Sequence, residues 1–195
     1  MFERDIVPLL PRVAKPARYT GGEYNSILRP DAECVIALAY PDVYEIGMSN
    51  LGLRILYEAL SQVEGCAVER VYLPWPDMAD LLKEKGFPLW TLETKTPLDT
   101  CAVIGITLQY EMTFTNILEL LLLSRVPLRR DERGNSDPLI VAGGPCAFNP
   151  APLVPWIDVF VLGDGDQAAV ELARTVRDAR REGLGRQAIL ERLEH

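Results

Sequence analysis

The feature that most constrains this chain is a set of five short apolar runs. Each is closed by a turn rich in glycine, proline or acidic residues, and amphipathic segments lie between them. The runs fall at 34–40, 67–73, 103–108, 139–142 and 159–162. The first reads Cys34-Val35-Ile36-Ala37-Leu38-Ala39-Tyr40, and the third opens Val103-Ile104-Gly105-Ile106. Apolar strands that do not alternate with polar residues belong to a parallel sheet covered on both faces.

The intervening segments supply the covering helices. Residues 50–62 read as a helix with Ser49 as N-cap and Leu53, Leu56, Tyr57 and Leu60 on one face. Residues 77–85 form a second, ended by Gly86. Residues 113–125 carry leucines nearly all round, as a helix covered by neighbours does. Residues 167–181 place Val170, Ala173 and Val176 inward, and 187–192 start another helix. Strand–helix alternation predicts an α/β fold: a flavodoxin-like, doubly wound, mainly parallel five-stranded sheet of order 2-1-3-4-5. Residues 88–92 are expected as an extra edge strand, where a proline is tolerated. The organisation read from the chain is an N-terminal extension, 1–33, with a helix over 2–13 broken at Pro8 and Pro11. The α/β domain covers 34–182, and 183–192 begin a linker or further domain. Residues 193–195, Leu-Glu-His, read as an expression-tag remnant.

Composition narrows the classes. The 195 residues are 48% hydrophobic and 25% charged, the balance of a water-soluble domain. No apolar run reaches the ~18 residues of a membrane span, and the start lacks signal-peptide order. A cytoplasmic protein is expected. The net charge of −8 opposes phosphate backbones, so no direct nucleic-acid binding is expected. The Arg129–Arg133 cluster reads as a solvated loop. The four cysteines, Cys34, Cys66, Cys101 and Cys146, hold no local CxxC spacing, which excludes a local metal or iron–sulfur motif. Cys34 and Cys101 read as buried apolar residues, and Cys146, in a glycine-rich loop, is the one to watch.

In such a sheet, ligands bind outside the carboxyl ends of the strands. Three loops are expected there: Asp42-x-Tyr44-x-x-Gly47 after the first strand, Thr107-Leu108-Gln109-Tyr110-Glu111 after the third, and Gly143-Gly144-Pro145 after the fourth. Paired glycines let backbone approach a flat ligand, and a threonine hydroxyl can bond it. The candidate binding residues are Asp42, Tyr44, Gly47, Thr107, Leu108, Gly143, Gly144 and Gly163. Gly163-Asp164-Gly165-Asp166 precedes a helix. Its glycines could cradle phosphate, but its carboxylates oppose it and suit a helix cap. The lone histidine, His195, lies in the tag-like end, so no nucleophile–histidine pair is present and no catalytic residue is assigned. Glu45, Glu111 and Asp42 could do acid–base work, but no spacing requires it.

The order of the three loops resembles the three-part signature of cobalamin-binding domains, in which the first motif is Asp-x-His-x-x-Gly. Tyr44 stands where the cobalt-ligating histidine would be. A more specific resemblance rests on Lys15-Pro-Ala-Arg18-Tyr19-Thr-Gly21-Gly22-Glu23-x-Asn25, Tyr40 to Ser49, and Glu69-Arg70-Val71-Tyr72-x-Pro74-Trp75-x-Asp77-Met78. Leu108 to Glu111, Gly143-Gly144-Pro145-Cys146-x-x-Asn149-Pro150-x-Pro152 and Gly163 to Asp166 complete it. Together these are similar to the N-terminal region of a radical S-adenosylmethionine family of iron–sulfur oxidoreductases. The chain departs in Ser49-Asn50-Leu51-Gly52, where the family has Ser-His-Leu-Gly, and in Gly-Asp-Gly-Asp for Gly-Glu-Gly-Glu. The resemblance implies a non-catalytic accessory domain with cobalamin as its candidate cofactor. The partner it implies is a downstream radical S-adenosylmethionine domain of the same chain, carrying a [4Fe–4S] cluster and S-adenosylmethionine. The alternative is an interaction or scaffold module whose vestigial pocket is closed by Tyr44 and Leu108. A flavin or nucleotide binder comes third, since Gly-x-Gly-x-x-Gly and P-loop motifs are absent.

Overall fold

A computed structural model describes residues 2–194, so the tag reading reaches one residue, His195, outside the described ones. The five strands are β1 (Cys34–Tyr40), β2 (Cys66–Tyr72), β3 (Val103–Thr107), β4 (Leu139–Gly143) and β5 (Val159–Val161). They form one all-parallel sheet in the order β2-β1-β3-β4-β5, the flavodoxin-like arrangement expected from the alternation. The helices are α1 (Phe2–Ile6), α2 (Ala17–Thr20), α3 (Tyr44–Gly47), α4 (Leu51–Leu60), α5 (Pro76–Lys85), α6 (Phe114–Leu123), α7 (Gly165–Arg181) and α8 (Arg186–Leu193). A 3₁₀ segment, Val7–Arg12, follows α1 and contains Pro8 and Pro11, which cannot continue α-helical hydrogen bonding.

Strand side chains alternate between faces, so the sheet has two cores. Ala37, Ala39, Ile104, Ile106, Ile140 and Ala142 face α5, α6 and the N-terminal helical segment. Ile36, Leu38, Val103 and Val141 face α4, α7 and α8. The second face positions the site described below.

Local chemistry moves several boundaries from the expected places. Asn50, not Ser49, caps α4: its Oδ1 accepts from the Leu53 N–H at 2.8 Å, while the Ser49 hydroxyl donates to the Ile46 carbonyl. Gly86 ends α5 in the left-handed conformation, as the sequence predicts. In α6 Ile117, Leu120, Leu121 and Leu123 are buried, but Leu122 is exposed. Residues 88–92 do not form an edge strand; they make one antiparallel bridge, Trp90 to Pro97. The segment is held instead by the buried Glu69 carboxylate, which accepts from the hydroxyls of Thr91 and Thr94. The chain turns back on itself there: the Thr91 N–H donates to the Thr96 carbonyl, and the Thr96 N–H donates to the Thr91 hydroxyl.

Arg133 is not solvated with its neighbours. It is buried, donating to Asp158 at 3.0 Å and to the carbonyls of Pro127, Leu128 and Trp156. Asp158 also accepts from the Ile140 N–H and from Arg186 at the start of α8. With Ile189 buried, this ion cluster fastens α8 against the start of β4.

Candidate functional site

Parallel register builds the floor of a cleft on the α4/α7 face. Leu38 of β1 pairs with Gly105 of β3, and Gly105 with Val141 of β4. One step nearer the strand ends, Thr107 pairs with Gly143 and Gly143 with Val161. Two of these neighbouring positions carry no side chain. The missing side chains leave a cleft of about 460 Å³, within the usual range for small-molecule pockets. Its floor is Leu38, Gly105, Thr107, Val141, Gly143 and Val161; its walls are Leu53, Ile55 and Leu56 of α4 and Gly165, Asp166 and Ala169 of α7. The lining is mainly apolar, with four polar side chains: the Thr107 hydroxyl, the Gln109 amide and the carboxylates of Asp164 and Asp166. Gln109 Nε2 donates to Thr107 Oγ1 at 2.6 Å.

Four of the eight predicted site residues line this cleft: Thr107, Gly143, Gly144 and Gly163. The two glycines of the pair serve different ends. Gly143 opens the floor. Gly144 has φ of +115°, and a Cβ there would fall 2.9 Å from the Leu108 carbonyl oxygen. It is glycine because the Leu108 backbone crosses it, and that backbone also takes the Cys146 N–H at 3.1 Å. The Leu108 side chain is fully buried in the opposite core. Asp164 occupies the N-cap position of α7, but its side chain makes no capping hydrogen bond. The expected cap role is therefore not realised, and its carboxylate is on the cleft wall.

Asp42, Tyr44 and Gly47 do not line the cleft. The 42–47 loop turns into α3, which carries Tyr44 toward β2 and the N-terminal arm. The Tyr44 ring stands edge-on to Tyr72, centroids 5.5 Å apart, and its hydroxyl donates to Glu23 at 3.2 Å. Burial and the Glu23 carboxylate raise the Tyr44 phenol above its ordinary value. Asp42 Oδ1 accepts from the Val43 N–H. A Cβ on Gly47 would lie 2.3 Å from the Tyr72 ring, so close packing requires that glycine. Glu45 pairs with Lys15 and Arg18, which lower its carboxyl to about 2. Behind this loop, buried Arg70 pairs with Glu93 at 2.7 Å and donates to Asn25 and Ser26. Tyr44 and Leu108, expected to plug a vestigial pocket, leave the cleft open.

The sequence reading missed the α4 wall and Gly105. Parity held the signal: 105 and 107, then 141 and 143, fall on one face of their strands. Cys146 is half-buried, and burial with nearby Glu111 raises its thiol, which disfavours thiolate. Among the described residues no cluster of three or more His, Cys, Asp or Glu could hold a metal ion. None of the described helices is long and apolar enough to cross a membrane.

A doubly wound parallel sheet with an apolar cleft at the carboxyl ends of its strands defines a flavodoxin-like α/β domain. The particular family follows from the sequence profile described as radical SAM proteins, N-terminal, which matches residues 52–195; the chain belongs to that family. An uncharacterized protein of Methanocaldococcus jannaschii is 25% identical over 150 residues, 76% of this chain and 28% of that protein. The chain thus spans under a third of that relative's length. No solved structure matches the chain.

Proposed function

We propose that this chain is the accessory domain that precedes the radical S-adenosylmethionine domain of a longer protein, and that its cleft binds the nucleotide tail of cobalamin. The observation that carries the reading is the glycine floor, Gly105 beside Gly143, beneath an apolar roof from α4. A flat aromatic base needs such a slot, since any Cβ at those positions would stand in it. Thr107 and Gln109 supply a hydroxyl and an amide for its polar edge. Asp164 and Asp166 suit the hydroxyl and amide N–H donors that cobalamin carries around its ring and ribose. The same carboxylates disfavour a bare phosphate, which argues against a phosphate-anchored flavin or dinucleotide.

The donor set fits the tail and not the cobalt. No histidine occurs among the described residues, and Tyr44 is engaged elsewhere. The domain therefore holds the group through its tail and amides, without a protein ligand to the metal. When bound, cobalamin supplies a cobalt centre for group or electron transfer. The residues here position the tail and exclude water from its base. The [4Fe–4S] cluster and S-adenosylmethionine belong, on this reading, to the downstream domain. Exposed Tyr110, Met112, Phe148 and Leu162 on the loops after β3, β4 and β5 support that placement, because they offer apolar surface beside the cleft mouth.

Titration of the full-length protein with hydroxocobalamin, followed by its visible spectrum and by calorimetry, tests the reading. Saturable one-to-one binding, weakened at least about tenfold by Gly105→Val, supports it. Absence of binding by the full-length protein refutes the cobalamin assignment.

A further inference from the structure

Cys34 and Cys66, 32 positions apart in the chain, are brought face to face by the sheet. They begin β1 and β2 and are direct partners in the parallel register, Cys34 opposite Cys66. Neighbouring strands lie about 4.8 Å apart, inside the Cα–Cα range a disulfide spans, about 4.4–6.8 Å. Both side chains point to the same face of the sheet, and both are buried free thiols. Cys101 and Cys146 lie on other elements, and no such partner faces either of them.

The surroundings of the pair are unusual for apolar thiols. Arg177 and Arg181 of α7 lie across Gly65: a Cβ at Gly65 would meet the Arg181 guanidinium at 3.0 Å and the Arg177 stem at 3.1 Å. Arg177 donates to the Glu64 carbonyl, and Arg29 donates to the Cys66 carbonyl at 2.9 Å. Three guanidinium groups thus surround the Cys66 end of the pair. Glu33 and Asp178 neutralise part of that charge through Arg181 and Arg177. The Cys34 thiol and the arginines pull the Cys66 thiol down, whereas Cys34, left as the donor, is pushed up. Cys101 is also raised, by burial and by the carboxylates of Glu69 and Asp99.

We propose that Cys34 and Cys66 form an oxidation-sensitive dithiol site, with Cys66 as the attacking thiolate, Cys34 as the resolving thiol and hydrogen peroxide as the oxidant. In the first step Cys66 Sγ attacks one peroxide oxygen. The O–O bond breaks, a sulfenic acid forms, and the leaving hydroxide takes a proton as water. In the second step Cys34 Sγ, losing its proton, attacks the Cys66 sulfur and displaces the hydroxyl as water. The sum is two thiols and one peroxide giving one disulfide and two waters. The product ties the first residue of β1 to the first of β2, at the end of the sheet opposite the cleft. It rests on geometry independent of the cobalamin reading.

Trypsin leaves the four cysteines on four separate peptides, which makes the test direct. The full-length protein, fully reduced without oxygen, is treated with hydrogen peroxide in steps that run past the amount an iron–sulfur cluster consumes, then alkylated and digested without reductant. The expected product is a cross-linked peptide pair joining Cys34 to Cys66, reversed by dithiothreitol, formed about tenfold faster than Cys101 is modified. In Cys34→Ser the expected product is a Cys66 sulfenic acid trapped by dimedone. Circular dichroism on that variant shows whether it is folded. If it is not, the cross-link in the unaltered protein decides the matter. The proposal is overturned if Cys101 or Cys146 reacts first, if the cross-link joins another pair, or if all four thiols survive peroxide in the folded protein.

Discussion

Filling the cleft floor should make this domain more stable and less able to bind. Gly105 sits inside β3 with an extended backbone that any residue can adopt. A Cβ there would meet Leu38 Cδ2 at 3.6 Å and the Ala37 carbonyl oxygen at 3.8 Å, ordinary contact distances. Gly105→Val therefore brings no clash at its first carbon. Glycine in a strand interior costs roughly 0.5–1 kcal/mol of backbone entropy, which the substitution recovers. Each further carbon contributes up to about 0.8 kcal/mol when buried. The cleft is open to solvent, so a realistic sum is about 1–2 kcal/mol of added stability. In a domain of this size that raises Tm by roughly 2–8 °C. The same methyl groups occupy the slot next to Gly143, so hydroxocobalamin affinity should fall at least about tenfold, 1.4 kcal/mol. Thermal melts followed by circular dichroism and a parallel titration measure the two effects. A lower Tm would show that the space above Gly105 is not the void described. Undiminished binding with a higher Tm would show that the ligand sits elsewhere.

Other perturbations probe the supporting structure. Glu93→Ala strips the main partner from Arg70, which is buried and reached otherwise by Glu23 at 3.8 Å. Loss of about 3 kcal/mol is expected in urea unfolding, and no loss would mean that Asn25 and Ser26 suffice. Asp164→Ala should cost under about 0.5 kcal/mol, against about 1 for a working N-cap, because its side chain makes no capping bond; it should still weaken ligand binding. Glu45, held at about 2 by Arg18 and Lys15, adds stability above its free value of 4.5 that is lost as pH falls through 2. With 43% of its side chain exposed, the contribution is under about 1 kcal/mol. The Tm gap between the protein and Glu45→Gln should therefore shrink as pH drops from 4.5 toward 2, and a gap that grows on acidification would reverse the assignment. Tyr44→Phe removes one hydrogen bond and should cost about 1 kcal/mol while leaving hydroxocobalamin titrations unchanged; weakened binding would return Tyr44 to the site.

The strands were legible because buried parallel strands leave an unbroken apolar signature that needs no neighbour to interpret. What could not be read was anything set by register. Leu38, Gly105 and Val141 become a floor only when β1, β3 and β4 align, and Cys34 meets Cys66 only when β1 and β2 do. The 88–92 segment looked like a strand because its composition suits one. Instead it turns back on itself through Thr91 and Thr96, while Glu69 of the neighbouring β2 takes the Thr91 and Thr94 hydroxyls. The Asn50 cap was misread by one residue because Ser49 and Asn50 are both good caps. The helix turn they occupy favoured the one whose oxygen reaches Leu53. Half of the candidate residues line the cleft because the loops after β3, β4 and β5 converge there, whereas the loop after β1 serves another purpose.

That other purpose accounts for the tyrosine. A loop that presents groups to a cofactor must leave them unpaired, and in 42–47 nearly every side chain is already engaged. Asp42 takes its neighbour's N–H, Tyr44 binds Glu23, Glu45 binds Lys15 and Arg18, and Gly47 lies under Tyr72. Three of these partners belong to residues 15–23, ahead of the sheet. The loop is thus the anchorage of the N-terminal arm, and Arg70, with Asn25 and Ser26, continues that anchorage into the core. A histidine at position 44 could not both replace the bond to Glu23 and face the cleft, because α3 directs this position toward β2. The absence of an imidazole and the presence of an arm are therefore one structural choice. It leaves the cleft floor to the glycines of β3 and β4.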